Sequence, residues 1–188
     1  MICAIDCETT GLTPYYHEMV DLCILPLTDT FDPVDHVQPF IVEVKPEFPD
    51  RAEKKALSVN GHTLDELMAR TVTREIAVNM FTDWFARTIP KGQKIEPLAQ
   101  NWFFDYSFIT AAFRGLNLRD FIFYRVKDTQ RVAEYINDRA RLNGTSMPFS
   151  STSLGSVSKA LGIVNPAPHQ AEGDCITCAQ VYKALCGG

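Results

Sequence analysis

The chain has 188 residues, 46% of them hydrophobic and 22% charged, with a formal net charge of −5. That length and apolar content fit one domain over residues 1–188 with a core of its own, and the spread of Leu, Ile, Val and Phe excludes a disordered chain. The negative balance argues against a broad basic face for duplex binding, while carboxylates gathered around cations remain compatible with it, because the ions supply the positive charge.

No apolar run reaches the roughly 18 residues of a membrane span, so no membrane partner is expected. The N-terminus lacks a basic segment followed by a long apolar one, which points to the reducing cytoplasm. In that setting the six cysteines read as free thiols. Cys3, Cys7 and Cys23 fall in or beside apolar runs, and Cys175-x-x-Cys178 has no second pair or nearby His to complete a zinc site, so core packing is the expected role.

Taken in chain order, Met1 to Cys7 reads as a buried strand ended by the turn residues Thr9-Thr10-Gly11. Met19–Leu27 and Val37–Val44 are strand-like and are separated by the Asp29, Asp32 and Pro33 cluster, which predicts a three-strand meander. From Thr63 the pattern becomes helical. Thr63-x-x-Glu66 is a capping box, and Ile76, Met80 and Trp84 with Ala77, Phe81 and Phe85 form a stripe expected to be core.

Ile95–Gln100 returns to strand, and Asp105–Phe113 resumes helical spacing. Phe121–Val126 predicts a further strand and Thr129–Arg141 a helix. Ser153 caps a short helix ending at Gly162. Pro166 and Pro168 predict an extended lead-in to a last helix from about His169 to Cys186. Strands first, then strands alternating with helices, predict an α/β fold: a mixed five-stranded sheet with an antiparallel meander at one edge and helices on both faces.

Asp6-x-Glu8 sets two carboxylates on one face of a strand, because side chains alternate along it, and two hard oxygen donors suit Mg²⁺ or Mn²⁺. Both acids end an apolar strand, where open α/β sheets place their ligands. Asp105 follows a second strand. It reads either as an acid complementing a helix N-terminus or as a third member of the same site. His169 and Asp174 are five apart, about 140° around a helix. They can share a site only if His169 stays on the loop held by the two prolines while Asp174 points inward from the helix's second turn.

In this order, Asp6-x-Glu8-Thr9-Thr10-Gly11, Asn101-x-x-x-Asp105 and His169-x-Ala171-x-x-Asp174 resemble the three exonuclease motifs of the DEDD superfamily, in its histidine-bearing, DnaQ-like branch. Gln170 stands where the tyrosine-bearing branch would carry Tyr. The resemblance implies a ribonuclease H-like fold and two divalent cations. Asp6 would bridge the ions, Glu8 and Asp174 would complete the site that holds the attacking water, and Asp105 would orient the second ion through water. His169 would be the general base, a task that an imidazole with an ordinary pKa of about 6.5 suits. The catalytic set is thus His169 with the four acids.

The same resemblance implies a 3′-5′ exonuclease that releases nucleoside 5′-monophosphates and recognises the strand end beside Thr9, Thr10 and Asn101. Val59-Asn60-Gly61-His62-Thr63 resembles a segment that touches the terminal base in proofreading members, with His62 where an aliphatic residue is usual. The expected partners are 3′ ends of nucleic acid, with DNA favoured over RNA, and a polymerase or other replication partner. Asp128-Thr129 reads as a helix cap outside the site.

Trp102, Phe103, Phe104 and Tyr106 could stack bases or fill the core. The basic stretch from Arg114 through Arg119, Arg125, Lys127, Arg131 and Arg139 to Arg141 reads equally as a phosphate track or a solvated face. Trimming of RNA or short oligoribonucleotides, and an inactive docking module on the same fold, are the alternatives. A ribonuclease H-type endonuclease fits Asp-x-Glu and the late His169 poorly.

Overall fold

A computed structural model describes residues 1–187. Five strands form one sheet in the order β3-β2-β1-β4-β5. They are β1 (Ile2–Thr9), β2 (Met19–Leu27), β3 (Phe40–Glu43), β4 (Glu96–Ala99) and β5 (Lys127–Asp128). β3, β2 and β1 are the antiparallel meander, while β4 and β5 run parallel to β1. β1 is therefore central, which explains its near-continuous burial and apolar sequence. Edge strand β3 alternates, with Phe40 and Val42 buried and Ile41 and Glu43 exposed.

Alternation along β1 sorts the helices onto the two faces. Cys3, Ile5 and Cys7 point into a core with Ala77, Phe81 and Trp84 of α3 (Arg74–Thr88) and Phe108 and Ile109 of α4 (Trp102–Ala112). Ala4, with Cys23, Leu25 and Leu98 of the neighbouring strands, meets Ala171, Cys175, Cys178 and Ala179 of α7 (Ala171–Gly187). These α7 residues are small, so the helix lies close on the sheet, and both cysteines of the Cys-x-x-Cys pair are buried packing groups as expected. On the same side, Ala133 of α5 (Thr129–Leu142) and Val157 of α6 (Leu154–Ala160) pack against Val181 of α7.

Several boundaries differ from the sequence reading. The helical pattern after Thr63 is two helices, α2 (Leu64–Ala69) and α3, because Arg70 turns extended and Thr73 starts a new cap by accepting from the Ile76 amide. The Thr63–Glu66 capping box is present. Ile76 and Met80 are exposed, so only the Ala77, Phe81 and Trp84 side of the stripe is core. The polar run Lys54–Asn60, which the sequence reading left without structure, forms helix α1.

Phe121–Val126 is not a strand. Phe121 turns into an aromatic cluster with Phe81 and Phe85, at ring distances of 5.4 and 4.9 Å. Only an isolated bridge from Ile122 to Ile95 precedes β5. Among the described residues, no helix is long and apolar enough to cross a membrane.

Candidate metal centre and active site

Asp6 and Glu8 follow Ala4 on the α7 face of β1. Their cross-strand partners are Cys23 and Asp21, and the register shifts between Glu8 and Thr9. Such a bulge ends regular pairing and re-aims the side chains beside it. Asp174 enters from the first turn of α7. Single carboxylate oxygens of Asp6, Glu8 and Asp174 all lie within 4.8 Å of one another. An octahedral Mg²⁺ with ligands at about 2.1 Å needs its oxygens about 3 to 4 Å apart, so this donor set fits a hard divalent cation.

The electrostatics support the same fit. Burial and the neighbouring Asp174, Asp21 and Asp105 push Glu8 up to about 8. Burial, then Asp105, Asp174 and Glu8, raise Asp6 well above the carboxylate range. Burial raises Asp174 against opposing help from Asn165 and His169. Three acids that each resist ionisation make a site that favours a cation.

Asp105 stands behind the trio. It is 3% exposed in the first turn of α4, and its Oδ1 accepts the Cys7 backbone N–H at 3.0 Å. Burial raises it, and the bonds from Cys7 pull the other way. This placement braces the strand between Asp6 and Glu8. The turn before α4 is braced in its own right: Asn101 has φ 61°, and the Asn101 and Trp102 amides donate to Asp128 at 3.2 and 3.0 Å. Asp128 also accepts from the Gln130 and Arg131 amides, so it is the cap expected and lies outside the acid cluster.

The loop carrying His169 is a turn rather than an extended lead-in. Gln170 donates its amide to Ala167 O, and His169 takes the left-handed region at φ 60°. The helix starts at Ala171, which puts Asp174 in the first turn rather than the second. Asp174 Oδ2 accepts the His169 amide at 3.2 Å, and Oδ1 accepts from Asn165 Nδ2 at 2.5 Å. The His169 side chain is left exposed beside the acid.

Gly173 makes this turn possible, because a Cβ there would stand 2.4 Å from Ala167 O. Sequence reasoning passed over Gly173 and Asn165. The only signal was their setting, a glycine in a helix's first turn and an Asn before Pro.

The loop after Glu8 is held from several sides. Thr9 Oγ1 donates to Gly11 O at 2.7 Å, and Thr10 Oγ1 accepts the Glu18 amide at 2.9 Å. Thr9 O accepts from Asn60 Nδ2 at 2.9 Å, and Thr10 O accepts the Glu53 amide at 2.8 Å. Gly11 packs against the buried His17 ring, where any Cβ would collide at 2.4 Å. His62 is paired through Nε2 with Asp21 at 2.5 Å, and Arg70 meets the same carboxylate at 2.8 Å. The α1–α2 connection is thereby tied to the strand beside Glu8. The aromatics divide: Trp102 is buried, Phe104 and Tyr106 lean on the core, and Phe103 is open.

With this geometry in view, residues 3–182 match the family model RNase_T, described as exonuclease. The chain belongs to the RNase T exonuclease family. Members of this family depend on divalent metals, in keeping with the acid cluster. No curated protein matches.

Solved structures share the fold. Escherichia coli Exonuclease I in complex with a dT13 oligonucleotide superposes with a TM-score of 0.73 at 20% identity, covering 98% of this chain and 40% of that one. The zinc-bound form of the E. coli Exonuclease I–single-stranded DNA complex gives 0.72 at 20%, covering 97% and 39%. Cell-death related nuclease 4 gives 0.73 at 14%, covering 99% and 63%. The RNase T-type chain spans about two-fifths of the length of those Exonuclease I structures.

Proposed function

We propose that the chain is a metal-dependent 3′-5′ exonuclease of single-stranded DNA that releases nucleoside 5′-monophosphates. The observation that carries this reading is the convergence within 4.8 Å of carboxylate oxygens of Asp6 and Glu8 on β1 and of Asp174 on α7, the helix whose entry loop presents His169. The preference for DNA draws support from the likeness to Exonuclease I holding dT13, and the 3′-5′ direction from the resemblance of the three acid motifs to those of the DEDD superfamily. Mg²⁺ or Mn²⁺ held by Asp6, Glu8 and Asp174, with a second ion oriented by Asp105, would supply positive charge at the attacking and leaving oxygens.

The chain's own groups do the rest. His169 accepts the proton of the attacking water, the P–O3′ bond breaks, and the leaving 3′-oxygen takes a proton from solvent. Asn165 and the His169 amide keep Asp174 aimed. Thr9, Thr10 and Asn101 shape the rim that meets the strand end. His62, anchored on Asp21, steadies the loop beside it. The buried free thiols of Cys3, Cys7, Cys23, Cys175 and Cys178 support the reducing cytoplasm as the compartment.

The test is digestion of one single-stranded sequence labelled at either end, its RNA counterpart and a circular strand, with Mg²⁺ or Mn²⁺. A 5′ label should give a descending ladder and a 3′ label should be released at once as mononucleotide. Cuts within the circle would replace the reading with an endonuclease. Faster turnover of RNA would reassign the substrate, and no turnover of any strand would leave a docking module.

A further inference from the structure

The turn that delivers Asp105 also forms one wall of a second feature, a groove of about 490 Å³ between α4 and α5 beyond edge strand β5. Trp102, Phe103 and Tyr106 line one side, and Lys127, Arg131 and Tyr135 the other. Phe103 is 78% exposed and Tyr135 63%, a placement that contributes little to the core and leaves two ring faces open to a ligand. Asp128 in the floor does not oppose an anion strongly, because four backbone amides already donate to it. Arg131 and Lys127 are paired with Glu134 and Glu96 at 2.9 Å. Such partly exposed pairs are worth little, so an incoming phosphate can compete for the cations.

We infer that this groove holds the nucleotides upstream of the scissile bond, with bases stacked on Phe103 and Tyr135 and phosphates near Arg131 and Lys127. The inference rests on the exonuclease reading for the identity of the strand. Three features select single-stranded nucleic acid as the occupant. Open aromatic rings take any unpaired base, the flanking cations complement a phosphate chain, and the groove is continuous with the Asn101–Asp105 turn. It also joins the aromatic run and part of the basic stretch, which the sequence leaves as separate ambiguities.

The test is binding of fluorescent dT2 and dT12 by anisotropy, in Ca²⁺ so that a hard cation fills the acid cluster. Hydrolysis of the p-nitrophenyl ester of thymidine 5′-monophosphate, which has no upstream nucleotides, is measured in parallel. Phe103→Ala and Tyr135→Ala should each weaken dT12 about 5- to 100-fold, weaken dT2, which offers a single upstream nucleotide, far less, and leave the ester unchanged, with Phe103→Tyr restoring binding. Arg131→Ala should lower the slope of log affinity against log salt by about 0.7. Because Phe103 is exposed, its loss should leave the melting temperature unchanged. Parental dT12 affinity in both alanine variants would overturn the groove, even if the ester is hydrolysed. An inactive parent that still needs Phe103 to hold dT12 would keep the groove and sink the nuclease reading instead.

Discussion

Glu8 ties the acid cluster to the stability of the folded state. Its carboxyl is raised from 4.5 to about 8, so between those values the native protein holds a proton that the unfolded chain has released. Stability then falls as pH rises through that window, the reverse of the usual salt-bridged acid. With chelator present, the melting temperature should drop from pH 5 to pH 8, and saturating Mn²⁺ should raise it most at pH 8. A flat curve in chelator would contradict the burial of these acids.

His169 makes a different contribution. His169→Ala should lower the single-turnover rate about 10² to 10⁴-fold and leave Mn²⁺ titration much as in the parent. The shared face of Asp6 and Glu8 was legible because Asp-x-Glu on a strand has a fixed geometry. The Asn165 and Gly173 contacts were not, because they depend on how a proline turn folds back on a helix, which has no periodicity to read.

Among the elements, α7 with its entry turn is the one whose packing most directly sets the chemistry. Gly173→Ala would drive a Cβ to 2.4 Å from Ala167 O, which should cost about 1–3 kcal/mol and displace His169 and Asp174 together. Gly155 in α6 is the matched control, since a Cβ there meets nothing within 4 Å. Gly155→Ala should be neutral or stabilising by up to about 1 kcal/mol. Thermal melts and turnover of both variants check this, and equal behaviour would show that the close approach is unimportant. Strands β1 and β2 announced themselves by apolar runs buried on both faces. β5 did not, because a two-residue strand carries no pattern, and the apolar run before it supplies Phe121 and Ile122 to the core instead of a pleat.

At the scale of the molecule, the sheet order puts β1 in the middle, with β2 and β3 of the meander on one side and the parallel β4 and β5 on the other. The core that fixes this arrangement centres on Phe81, 1% exposed against Phe40, Trp84, Phe113 and Phe121. Phe81→Ala should cost about 3–5 kcal/mol in denaturant unfolding, while Met80→Ala, on the exposed side of the same helix, should cost far less.

The mixed sheet and its meander followed from the order of strands and helices along the chain. The packing of the helices was less readable, since Ile76 and Met80 look as apolar as Phe81 until the tilt of α3 is known. The proposed hydrolysis depends on Asp6, Glu8 and Asp174 holding the ions it needs. Its most direct test is the rate of single-stranded DNA hydrolysis against Mn²⁺ concentration after full chelation, for the parent and for Asp6→Asn. The parent should be inactive without ion and recover as ion is added, and Asp6→Asn should stay at background throughout. Turnover that survives chelation, or an Asp6→Asn curve that follows the parent's, would contradict it.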